Sequence, residues 1–342
     1  MLFKNAALIL TTLFLAACTR HPPPASRQVI PLTAEGKQLQ GMLIDMRTQR
    51  VVSFATLVNA VAHATVVAVG EEHHHPGIQA FELRLLRALA QQRPHHLALS
   101  MEFLERDQQS TVDAYLAKAI DQETFQKRLK VSSSFMQHYF PLVRYARQAR
   151  LPIVAMNAPR RIARQVAKHG LLKTLEGLSV TDRAYIPAAL AAISERYRTY
   201  FLKAVADYHP LTDDQAERFV EASHLKDATM ATALTAFLAQ HPDFTVLAIA
   251  GRFHFDYGIA IPALLQQDRR NVVIQRITTM AVDPDSTFDL HRLAEDAVAD
   301  YLHFFPPAPD EKRSASTGSE KSRKTNTRAR DDGALDRVQE KL

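Results

Sequence analysis

A single cysteine, Cys18, stands in 342 residues. No intrachain disulfide is available, so the core must close without covalent staples. Glycine is scarce, at 10 residues, while 46% of the chain is apolar, a balance that suits a helix-rich globular protein. Internal repeats are absent. The formal charge is +6, but Lys and Arg are scattered rather than gathered into a stripe. That distribution argues against a nucleic-acid partner and leaves a mild attraction to anionic lipid or small anions.

The lone cysteine closes a short apolar run, Leu15-Ala16-Ala17-Cys18. Lys4, the apolar stretch from Ala6 to Leu15 and the small residues behind it describe a secretory signal over residues 1–17. The stretch falls short of the roughly 20 apolar residues that cross a bilayer. A Cys directly after two alanines looks like a bacterial lipobox, which implies cleavage before Cys18, lipidation at Cys18 and a membrane tether. Thr19 rather than Asp follows the Cys, which favours the outer membrane, facing the periplasm. Residues 18–28, with Pro22-Pro23-Pro24, read as an extended linker. Residues 309–342 are rich in Lys, Arg, Glu, Asp, Ser and Thr and read as a disordered charged tail.

Between these ends, over residues 29–308, short β-branched runs alternate with long helical patterns. The expected strands are Thr65–Val69, Leu97–Met101, Leu151–Met156, Phe244–Ala250 and Asn271–Ile274. Near-continuous apolar runs imply burial on both faces. The predicted fold is therefore α/β, with a mostly parallel central sheet flanked by helices. The pattern from about 179 to 240 is helical throughout and too long for one crossover, so a helical subdomain is expected there.

Polar residues fall where the strands end. The first runs into Gly70-Glu71-Glu72-His73-His74-His75, the second into Glu102, the third into Asn157 and Arg160, and the fourth into Gly251-Arg252-Phe253-His254. Open α/β sheets bind ligands at the carboxyl ends of their strands. Glu71, His73, Glu102 and His254 are thus expected to share one site. Imidazole and carboxylate suit a divalent metal, general acid–base chemistry or a rigid hydrogen-bond network, and the residue types alone leave all three open. The pair His95-His96 reads as the entry to a strand.

Taken in order, Gly70-Glu71-Glu72-His73, Gln79, Met101-Glu102-Phe103, Asp107-Gln108-Gln109, Asn157-Ala158-Pro159-Arg160, Lys226-Asp227-Ala228-Thr229-Met230-Ala231 and Gly251-Arg252-Phe253-His254 resemble the ChaN family. The resemblance spans about residues 51–276. These are haem-binding lipoproteins in the wider Tiki and TraB superfamily, which also holds erythromycin-esterase-like proteins. It implies haem bound through a tyrosinate, in a homodimer that encloses paired haems. Tyr197, Tyr200 and Tyr208 are the candidate ligands, with Arg196, Arg198 and Lys203 near enough in sequence to meet propionates and His209 a rival ligand. Phenolate prefers ferric iron, and cationic neighbours lower its pKa. The three consecutive histidines depart from the His-Asp or His-Asn usual in the family.

The leading expectation is a haem-binding lipoprotein in haem or iron uptake or storage, with haem, the membrane and a haem receptor as partners. The alternatives are a metal-dependent hydrolase or protease using Glu71, His73, Glu102 and His254, and a structural envelope lipoprotein. Cys18→Ser is expected to abolish acylation and release the chain from the membrane fraction, as read by metabolic fatty-acid labelling and fractionation.

Overall fold

The computed structural model describes residues 33–205 and 211–308. The expected signal, linker and tail, Cys18, Tyr208 and His209 lie outside the described residues. Among the described residues there are ten strands: β1 Thr33–Glu35, β2 Leu43–Asp45, β3 Arg50–Val51, β4 Val66–Glu71, β5 Leu97–Glu105, β6 Ile153–Asn157, β7 Thr245–Gly251, β8 Ile274–Ala281, β9 Thr287–Asp289 and β10 Tyr301–Phe305. Eight form one sheet in the order β3-β2-β10-β8-β4-β7-β5-β6, while β1 and β9 pair separately. From β10 to β6 every neighbour is parallel, and β2 and β3 add an antiparallel margin. The expected α/β class and mostly parallel sheet are observed.

Alternation along the central strands explains how both faces are filled. In β4, Val67 and Val69 join one core, and Val66 and Ala68 join the other. In β7, Leu247 and Ile249 face the first core, and Val246, Ala248 and Ala250 the second. The first face carries large side chains and meets the helices Phe54–Val61, Pro76–Gln92 and Phe140–Ala149. The second carries mainly Val and Ala, so the helix Asp213–Gln240 packs close to the sheet with Met230, Ala231 and Leu234 inward. That helix starts at a Thr212–Gln215 capping box with Asp213 and Asp214 in its first turn, which satisfies exposed N–H groups and complements the helix dipole.

Three expectations need correction. The fifth strand begins at Ile274, not Asn271, because Val272 N–H bonds back to Arg269 and the Val273 carbonyl accepts from Thr65 and Val66, a turn that feeds the strand. Strand β5 runs on to Glu105 with a register break after Met101, so Glu102 sits at an irregularity inside the strand. The helical region is interrupted: Val180–Arg183, Glu195–Val205 and Asp213–Gln240 are helices, and residues 184–194 are irregular.

Gly70 marks where β4 meets the turn after β7. A Cβ there would lie 2.9 Å from the Arg252 Cα, a backbone contact that cannot rotate away. Gly70→Ala is therefore expected to lower stability by about 1–3 kcal/mol, measured as a shift in the urea midpoint.

Candidate functional site

The carboxyl ends of β4, β5 and β7 bring Glu71, His73, Glu102 and His254 together. Glu71, the last residue of β4, is buried. Its Oε1 accepts from His73 Nδ1 at 2.7 Å and from the Tyr139 hydroxyl at 2.8 Å. Its Oε2 accepts from Gln79 Nε2 at 3.4 Å. With Nδ1 engaged, the His73 ring presents Nε2 toward Glu102 Oε2 at 4.0 Å. Burial opposes charge on His73, yet the Glu71 hydrogen bond and the charges of Glu71 and Glu102 outweigh it and raise its pKa. Behind Glu71 lies Glu82, fully buried, its carboxyl pushed well above the usual range by burial and by the Glu71 charge.

Glu102 joins the remaining elements. Its Oε2 accepts the Gly251 N–H at 3.0 Å, fixing the end of β7. Its Oε1 accepts from Lys226 Nζ at 2.9 Å, and His254 Nε2 lies 3.2 Å away without hydrogen-bond alignment, so that contact is an ion pair. Burial would raise the carboxyl pKa, but His254 and Lys226 hold it well below the usual range. His254 is completely buried, and its Nδ1 donates to Asp227 Oδ1. Despite burial, the charges of Glu102 and Asp227 push His254 up to about 9. Asp227 also accepts from the Tyr197 hydroxyl at 2.6 Å.

Two neighbouring features complete this edge. A cavity of about 290 Å³ opens beside His73, with Phe103, Tyr139, Asn157, Arg160 and Lys226 on its walls. On the other side of His254, the helix Glu195–Val205 packs over Phe253. Tyr200 stacks on Phe253 at 4.9 Å with rings 3° from parallel and meets Tyr257 edge-on at 5.0 Å.

The tyrosine candidates part company here. Tyr197 is 2% exposed, and its hydroxyl is tied to Asp227, with burial and the Asp227 charge holding the proton on. That tyrosine braces the network from beneath. Tyr200 is half-buried, and its hydroxyl has no hydrogen-bond partner among the described residues. Arg196 is exposed and acts electrostatically on Tyr257, whereas Arg198 is engaged by Glu195 and Glu217. His75 serves the fold: it caps the helix Pro76–Gln92 through Ile78 N–H and bonds the Pro306 carbonyl.

Among the described residues no three His, Cys, Asp or Glu side chains are arranged to hold a metal ion. The physical reason is internal pairing: Glu71 is used by His73 and Tyr139, and Glu102 by Lys226 and Gly251. Sequence reasoning missed Tyr139 and Glu82 as members of the site. Tyr139 lies 68 residues from Glu71 in an apolar helical region that carries no mark of its role. Asp227 was marked only by its place beside Lys226.

Sheet and site define an open α/β protein with a paired ionic network at the carboxyl edge. The chain belongs to the haem-binding uptake family, ChaN, of the Tiki superfamily, which matches residues 57–265. ChaN of Campylobacter jejuni, solved with cofacially bound haem, is similar in fold, with a TM-score of 0.59 and 19% identity over 76% of this chain and 95% of that chain. The erythromycin esterase EreC in its open conformation is similar at a TM-score of 0.41 and 16% identity, over 70% of this chain and 76% of that one. Protein RETICULATA-RELATED 5, chloroplastic, of Arabidopsis thaliana is 24% identical over 262 residues, covering 72% of this chain. The chain spans 35% of that curated relative's length.

The raised pKa of His254 links stability to pH. Its charged form is favoured by folding, so the gain is complete below the unfolded value near 6.5 and is lost as pH rises through about 9. Unfolding free energy is expected to fall by about 3 kcal/mol across that window. His254→Gln is expected to flatten the profile, followed by urea unfolding at each pH.

Proposed function

We propose that this protein binds haem and serves haem or iron uptake or storage, as a homodimer tethered through lipidated Cys18 to the outer membrane and facing the periplasm, where a haem receptor exchanges cargo with it. Family membership supports the haem-binding part of this reading. The observation that carries it is Tyr200: a half-buried phenol stacked on Phe253 and beside Tyr257.

These residues fit the group. A porphyrin needs a flat apolar surface, a ligand atom and cations for its propionates. Tyr200 and Tyr257 supply ring surface over the buried Phe253, Tyr200 supplies the oxygen and the exposed Arg196 the charge, while Arg252 is held by Asp256 and Glu72. When bound, haem supplies ferric iron, a Lewis acid that takes a phenolate. Burial raises the Tyr200 pKa, so ligation must expel the phenolic proton, and haem affinity falls as pH falls.

A second reading, acid–base hydrolysis, is favoured by one arrangement. His73 is oriented by Glu71 through Nδ1, as a general base is oriented by a carboxylate, and its ring lines the cavity. The metal-dependent form of that reading has no ligand set among the described residues.

Ferric haem titration of the purified protein distinguishes the two. Saturable binding with a high-spin phenolate-type band is expected, and Tyr200→Phe is expected to abolish the band and weaken binding at least about tenfold. Glu71→Ala is expected to leave haem bound. Featureless, non-saturating absorbance would remove the haem reading, and loss of an ester or amide hydrolysis in Glu71→Ala would favour the second.

A further inference from the structure

The cavity beside His73 holds more chemistry than the ionic network needs. Lys226 is 12% exposed and spends one contact on Glu102. An ammonium has three N–H donors, so others remain for the cavity it lines. His73 has Nδ1 bound to Glu71, and its Nε2 is only an ion-pair distance, 4.0 Å, from Glu102. Asn157 is buried, and its Nδ2 donates to the Glu102 carbonyl at 2.9 Å. Because a carbonyl only accepts, the amide orientation is fixed, and Oδ1 is left buried without a partner. An unpaired buried acceptor costs about 1–3 kcal/mol unless something donates to it. Around these groups stand the stacked rings of Phe103 and Tyr139, 3.8 Å apart, and the rim cation Arg160.

We infer that this cavity is a binding site for a small, singly charged organic carboxylate that also carries a hydrogen-bond donor and an apolar group. Lys226 and His73 Nε2 receive the carboxylate, Asn157 Oδ1 receives the donor, and the half-buried Phe103, backed by the buried Tyr139 ring, receives the apolar part. Glu102 and Glu105 also line the cavity, and their charge opposes a dianion such as phosphate. The volume of about 290 Å³ lies at the small end of ligand pockets, which run about 300–1,000 Å³. The site is separate from the Tyr200 surface and does not rest on the haem reading.

Calorimetric titration of the full chain with four probes tests this: phenyllactate, phenylpropionate, phenylethanol and inorganic phosphate. Phenyllactate is expected to bind saturably, phenylpropionate about tenfold more weakly for want of the hydroxyl donor, and the other two not at all. Asn157→Ala is expected to erase the preference between the two carboxylates. Arg160→Gln, on the exposed rim, is expected to weaken both about threefold without moving the unfolding midpoint. Tyr200→Phe is expected to change nothing, which keeps this result apart from the haem result. Absence of saturable binding by either carboxylate, equal binding of phosphate, or a preference that survives Asn157→Ala overturns the proposal.

Discussion

A carboxylate enclosed by protein is stable only when its charge is answered on every side, and Glu102 is such a group. It sits at the register break of β5, holds the Gly251 N–H of β7, and faces Lys226 and His254 from two other elements. Three segments far apart in sequence, at 102, 226 and 251–254, are thereby fixed relative to one another. Replacing such a set by apolar groups is often neutral, whereas removing one partner leaves an unanswered charge at a cost of about 3–5 kcal/mol. The network is thus a weak source of net stability and a strong constraint on geometry. Glu71 does the same on a smaller scale, with Tyr139 and Gln79 fixing the His73 ring.

That constraint links two surfaces that differ in character. The turn Gly251-Arg252-Phe253-His254 has its first and last residues in the Glu102 network, while its Phe253 ring carries Tyr200. On one side the edge is an aromatic shelf with guanidinium groups. On the other it is a small polar cavity with a ring-lined wall. A single rigid turn separates them, so each side is held by contacts the other also uses.

Much of this was legible in the chain because parallel strands must be apolar throughout and their polar residues are left for the ends. Val66–Val69, Leu97–Met101 and Val246–Ala250 announced the sheet, and Glu71, His73, Glu102 and His254 marked its edge. Short strands such as Arg50–Val51 and Thr287–Asp289 carry too few residues for a periodicity to emerge. Glu102 read as a residue after its strand because a bulge has no signature in composition. Tyr139 and Glu82 were silent because an aromatic or a carboxylate on a helix is ordinary until the fold carries it to Glu71. Tyr197 and Tyr200, three positions apart on one helix, looked equivalent, and only packing separates a hydroxyl spent on Asp227 from one that is half-buried above Phe253.

The placement of β10 has a consequence for synthesis. Residues 301–305 lie between β8 and β2, so the β2–β3 hairpin joins the sheet only through a strand made some 250 residues later. Until that strand emerges, β8 has a bare margin and the hairpin has nothing to attach to. Pairings over such sequence separation form slowly and leave sticky edges exposed meanwhile. A nascent chain of this protein therefore has no finished sheet to fold into until residues 301–305 have been made.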